Sequence, residues 1–96
     1  MIKSFKHAAL KRLWNTVKAP KGLPAQDVPK IRDILASLNV ATVPEDMDIE
    51  EEFFHFHALT GNRKGTYAVT VRGNWRITFK WDNGAIQVNY EDYHGK

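Results

Sequence analysis

Between residues 54 and 91 the chain alternates apolar with polar residues in four successive runs, and that period of two sharply limits what it can fold into. Phe54 and Phe56 alternate with His55 and His57, and Tyr67, Val69 and Val71 with Ala68, Thr70 and Arg72. Trp75, Ile77, Phe79 and Trp81 alternate with Arg76, Thr78 and Lys80; Ile86, Val88 and Tyr90 alternate with Gln87, Asn89 and Glu91. Strands with one apolar face predict an antiparallel meander that buries one side under another layer. That layer precedes them. Leu10, Leu13, Trp14 and Val17 recur at helical spacing over residues 7–18. Val28, Ile31, Ile34, Leu35 and Leu38 mark a second helix entered near Pro24 to Asp27, with Pro29 in its first turn. Residues 2–6 alternate as a short strand. The expectation is an α+β fold, two helices on a sheet, as one domain over residues 1–96.

A one-residue slip would turn an apolar row outward, so the pattern also predicts register. Asn83-Gly84 as a two-residue turn sets Trp81 opposite Ile86, Phe79 opposite Val88, Ile77 opposite Tyr90 and Arg76 opposite Glu91. A three-residue turn over 72–74 sets Val71 opposite Trp75 and Thr70 opposite Arg76. Matching Phe56 to Val69 sets His57 opposite Ala68 and His55 opposite Thr70. His57 and Arg76 then share the polar face about 10 Å apart, wide enough for a phosphate. Tyr93 follows Glu91 in parity onto the same face. Asp92 would face the core, so the strand is expected to bulge or end near Glu91, re-aiming Asp92 and His94.

Charge narrows the partners. Six of the eleven acids lie in "EDMDIEEE", residues 45–52, read as a solvated loop. The remainder holds all fourteen Lys and Arg against five acids, a net charge of +9, which favours polyanions. Cysteine is absent, which excludes disulfides and thiolate metal sites. No apolar run reaches the length of a membrane span. The cytoplasm is the expected compartment, with no membrane partner.

"MIKSFKH", "HALTGNRKG", "GNWRITF" and the ending "NYEDYH" resemble, in that order, the HigB toxins of the RelE/ParE superfamily. The resemblance implies a RelE-like fold and a ribosome-dependent endoribonuclease that cuts messenger RNA in the decoding site. It also implies a HigA-type helix-turn-helix antitoxin, with operator DNA reached only through it, and neither metal nor cofactor. Carried over residue by residue, it gives catalytic roles to His57, Arg76, Asp92, Tyr93 and His94. Metal-free cleavage needs a base for the ribose 2′-hydroxyl, a cation for the phosphoryl oxygens and an acid for the departing 5′-oxygen. Imidazole can serve as base or acid, while guanidinium forks onto phosphate. His57, Tyr93 and His94 all remain candidates for base and acid. Arg63, Lys64, Lys3, Lys6, Lys11 and Arg12 are the candidate RNA and ribosome contacts, and Glu91 is expected to hold Arg76.

The sequence departs from the family at His57-Ala58-Leu59-Thr60-Gly61, where relatives carry lysine at the position of Thr60. Losing one placed cation costs on the order of 2 to 4 kcal/mol of transition-state stabilisation. Two rival readings follow: a ParE-like gyrase inhibitor that cuts no RNA, and a weakened toxin acting mainly through its antitoxin.

Overall fold

A computed structural model describes residues 1–18, 20–49 and 54–93. Two helices, α1 (Ala8–Asn15) and α2 (Val28–Val40), pack on a four-stranded sheet. The strands are β1 (His57–Ala58), β2 (Thr66–Arg72), β3 (Trp75–Trp81) and β4 (Ala85–Asp92), antiparallel and in spatial order β1-β2-β3-β4. No described helix is long and apolar enough to cross a membrane.

Local chemistry sets the helix ends. The His7 ring caps α1, its Nδ1 accepting from the Leu10 amide at 3.4 Å. Burial and the Arg12 charge hold that imidazole below its usual pKa, which keeps the accepting nitrogen unprotonated. Helix α1 stops earlier than its apolar spacing predicts because Thr16 turns out of it, donating its hydroxyl to the carbonyls of Arg12 and Lys18. Trp14, expected in the core, is 36% exposed there. Helix α2 follows a single 3-10 turn, Ala25–Asp27, with Pro29 in its first turn as expected. The acidic stretch is more than a solvated loop: Met47, in the 3-10 turn Pro44–Met47, is fully buried.

The amino-terminal segment makes two parallel bridges to β4, Ile2 with Ala85 and Phe5 with Val88, rather than a continuous strand. Between them the Gln87 amide turns to the Ser4 hydroxyl, because Gln87 sits at a bulge with φ 53°.

The predicted register holds across the middle of the sheet and fails at both turns. His57 pairs with Ala68, Thr70 with Arg76, Ile77 with Tyr90 and Arg76 with Glu91. At the first turn Arg72, not Val71, opposes Trp75, and Val71 is the extra residue of a bulge. At the second turn Trp81 opposes Ala85 and Lys80 opposes Ile86. Ala85 therefore takes the core place expected of Ile86. Of the two expected ways out, a bulge or a strand end near Glu91, the structure takes the second: β4 ends at Asp92. The ladder runs on through Asp92 opposite Trp75, and Asp92 escapes burial because that pair is at the end of the sheet, where it is exposed. His55 is not in the ladder; its φ of 50° takes it out of the extended conformation.

The bulge at Val71 has a consequence for the core. It moves Arg72 onto the helix side of the sheet with Trp75, where its guanidinium forks onto Asp27 at 2.8 and 3.2 Å. Asp27, 4% exposed at the entry to α2, also accepts from the Tyr90 hydroxyl at 3.1 Å. The Arg72 hydrogen bonds outweigh burial and hold the Asp27 carboxyl below its usual value of 3.8. Burial and the Asp27 bond push the Tyr90 phenol up to about 12.

Asp27→Asn is expected to lower stability by about 1 to 3 kcal/mol, read as a fall in the urea midpoint. A depressed carboxyl contributes stability above its unfolded pKa and loses it as pH falls toward the folded value. The wild type should therefore weaken as pH drops below about 4, and Asp27→Asn should flatten that limb. An unchanged acid limb would mean that Asp27 is not a source of it.

Candidate active site

The middle of the sheet face turned away from the helices is covered, although its residues are polar or small. Thr66, Ala68 and Thr78 lie there, and Ala68 and Thr78 are 0% and 2% exposed. The cover is the connection from β1 to β2, which carries the 3-10 turn Gly61–Arg63. From it the Arg63 guanidinium forks onto Glu91 at 2.9 and 3.2 Å. Strands β1 and β4 are opposite edges of the sheet, about 14 Å apart, so the connection and its Arg63 side chain reach across the middle of the face. Glu91 also accepts from the Thr78 hydroxyl and from Asn89 Nδ2. Burial alone would raise its carboxyl, but the bonds from Arg63 and Thr78 and the Arg63 charge hold it below its usual value. Arg63 lies over the Tyr93 ring, 5.5 Å from its centroid, a cation–π distance.

The expected Arg76–Glu91 partnership does not form despite their pairing across the ladder. Arg76 folds back toward its own turn and donates to the carbonyls of Gly73 and Trp75. Its buried Nε has no hydrogen-bond partner among the described residues. Glu91 thus holds Arg63, and Arg76 keeps donor capacity on the same face.

His57 is exposed, and its Nδ1 lies 2.9 Å from the His55 carbonyl. A carbonyl only accepts, so Nδ1 carries a proton, and in the neutral tautomer that fits this contact Nε2 is the accepting nitrogen. The positive φ of His55 is the backbone feature that accompanies this contact. Through its pairing with Ala68, and that of Ala68 with Thr78, His57 shares a face with Arg76 and Glu91. Tyr93 joins them under Arg63, its amide bonded to the Asn74 carbonyl at 2.8 Å. Asp92 belongs to the helix-side row with Trp75, at the end of the same strand. His94 lies outside the described residues.

The expected RNA contacts divide. Lys6, Arg63 and Lys64 line a polar cleft on this face, with Arg63 committed to Glu91. Lys3 donates to the Asp82 carbonyl, and Lys11 and Arg12 are exposed on α1. No group of three or more His, Asp or Glu among the described residues is placed to hold a metal ion.

Residues 3–94 match the family described as the RelE-like toxin of type II toxin–antitoxin system HigB. The chain belongs to the HigB family. It is 47% identical over 95 residues, 98% of its length, to the whole of a protein named Endoribonuclease HigB from Proteus vulgaris. A 52-residue stretch is 38% identical to 7% of a Catalase-peroxidase from Pectobacterium atrosepticum, too small a share to carry that activity across. A HigB toxin of a type II system has an antitoxin as its partner. Sequence reasoning missed the Arg63–Glu91 fork: Arg63 has no periodic position, and only an acid within an otherwise basic surface hinted at a local cation.

Glu91→Gln is expected to release the covering connection. A half-exposed charged fork is worth about 1 to 2 kcal/mol, so hydrogen exchange at the Leu59 and Arg63 amides should quicken roughly 5- to 30-fold. Unchanged protection would show that other contacts hold the connection down.

Proposed function

We propose that this one-domain HigB toxin, residues 1–96, is a ribosome-dependent endoribonuclease of the cytoplasm that cuts messenger RNA in the decoding site. A HigA-type helix-turn-helix antitoxin neutralises it and alone connects it to operator DNA. The observation that carries this reading is the identity over its full length to a protein named as an endoribonuclease.

The chemistry needs no metal. His57 Nε2 removes the 2′-hydroxyl proton, and the freed oxygen attacks the neighbouring phosphorus. A 2′,3′-cyclic phosphate forms as the P–O5′ bond breaks, and Tyr93 or His94 returns a proton to the leaving oxygen. Arg76 faces the phosphoryl oxygens, a role supported by its place on the outer face opposite Glu91. Asp92, at the end of β4, supplies a carboxylate able to fix a histidine tautomer. Glu91 and Arg63 act indirectly, by fixing Tyr93 and the Thr60 segment.

His57→Gln should lower cleavage about 10²- to 10⁴-fold, read by primer extension on a message translated with purified ribosomes. Cuts that persist without ribosomes would sink the ribosome requirement, and supercoiling inhibition without cuts would favour the gyrase-binding reading. A phosphorothioate at the cut site should show no rescue by thiophilic metal ions.

Thr60 is exposed and supports the weakened-toxin reading. Thr60→Lys should raise the cutting rate roughly thirty-fold or more. An unaltered rate and sequence preference would mean that Arg63, Lys64 or their neighbours already supply the charge.

A further inference from the structure

The cleft on the outer face, about 330 Å³ in volume, lies between the covering connection and the β4 edge and is lined in part by Lys6, Lys64, Lys80, Gln87, Asn89 and Glu91. Neither Arg76 nor Tyr93 contributes to it. We infer that it is a second RNA-backbone subsite, holding a phosphate other than the one that is cut. This rests on the RNA-cleaving function proposed above.

Charge is the first support. Lys6, Lys64 and Lys80 have no ion-pair partner among the described residues. The cleft's carboxylate, Glu91, is already matched by Arg63. Three exposed lysines around one cleft give it a positive potential that favours an anion. Shape is the second. Gln87 lines the cleft from a left-handed conformation, φ 53°, at the β4 bulge. A bulge re-aims a side chain, and non-glycine strain of this kind concentrates at binding sites. Asn89 adds a second amide, giving donors and acceptors beside the cations. Position is the third. Arg76, Thr78 and Lys80 succeed one another on the outer face of β3, with Lys80 about 13 Å from Arg76. A single strand of RNA passing over the covering connection and its Arg63–Glu91 fork would meet both.

The test compares two variants that each remove two charges, Lys64→Gln with Lys80→Gln in the cleft and Lys18→Gln with Lys21→Gln between the helices. The probes are a short single-stranded RNA, deoxy-substituted at the cut position, and intact ribosomes. The cleft pair should bind about ten-fold more weakly at low salt, with a slope of log K against log salt shallower by about 0.7 for each lost contact. The helix-side pair should keep the wild-type slope. A loss on the RNA oligomer assigns the subsite to the substrate strand, and a loss on ribosomes alone assigns it to ribosomal RNA. Unchanged slopes on both probes, equal losses in the two pairs, or no binding of either probe by the wild type would overturn the proposal. Unchanged RNA slopes with weakened antitoxin binding would overturn it in favour of an acidic protein surface. Binding is read on uncleavable RNA, so a wild type that never cuts sinks the endonuclease reading without deciding the cleft.

Discussion

A carboxylate shut away from water at the start of α2 sets the geometry of the whole molecule. Asp27 is affordable in that position only because Arg72 and Tyr90 reach it together. One end of α2, the end of β2 and the body of β4 are thereby fixed to a common point. Trp75 stacks on Tyr90 with centroids 4.8 Å apart, closing the same corner with apolar area. Tyr90 is followed directly by Glu91, Asp92 and Tyr93. With Tyr90 locked on the helix side, alternation forces Glu91 to the outer face, where the Arg63 connection meets it. The core contact thus sets the phase of the candidate site.

The two faces of the sheet are held by different means. The helix side is sealed by side chains such as Leu10, Ile34, Ile77 and Phe79. The outer side is closed by one charged fork and the short connection carrying it. Polar residues placed outward by the alternation, Thr66 and Thr78 among them, end up dry without joining the core. A face built in this way keeps hydrogen-bonding groups oriented and water scarce, which is what phosphate chemistry requires of a protein surface.

The period of two made the middle of the sheet legible, including the pairs Thr70–Arg76, Ile77–Tyr90 and Arg76–Glu91 that frame the site. The turns were not legible. A loop one residue shorter or longer, compensated by a bulge, returns the strands to the same pairing, so the apolar pattern cannot tell the two solutions apart. What differs is where single side chains go, and those are the ones that matter: Arg72 to Asp27, Ala85 to the core, Gln87 to the cleft. Arg63 was visible as a cation but not as the partner of Glu91, since a contact between residues 28 apart leaves no periodic trace. Whether a bulge or a strand end would free Asp92 stayed open because alternation says nothing about where the helices stop covering the sheet.

The segment along the β4 edge joins the two most distant parts of the chain. The Ala85 amide bonds to the Met1 carbonyl and the Val88 amide to that of Ser4, closing a loop of more than eighty residues. A Cβ at Gly84 would fall 2.6 Å from the Met1 carbonyl oxygen, so the approach is close. Closing so long a loop gives up much chain entropy for a few hydrogen bonds. Trimming the first five residues would leave the Ala85 and Val88 amides without these partners. The edge strand that bears Glu91 therefore depends for its outer hydrogen bonds on the opposite end of the chain.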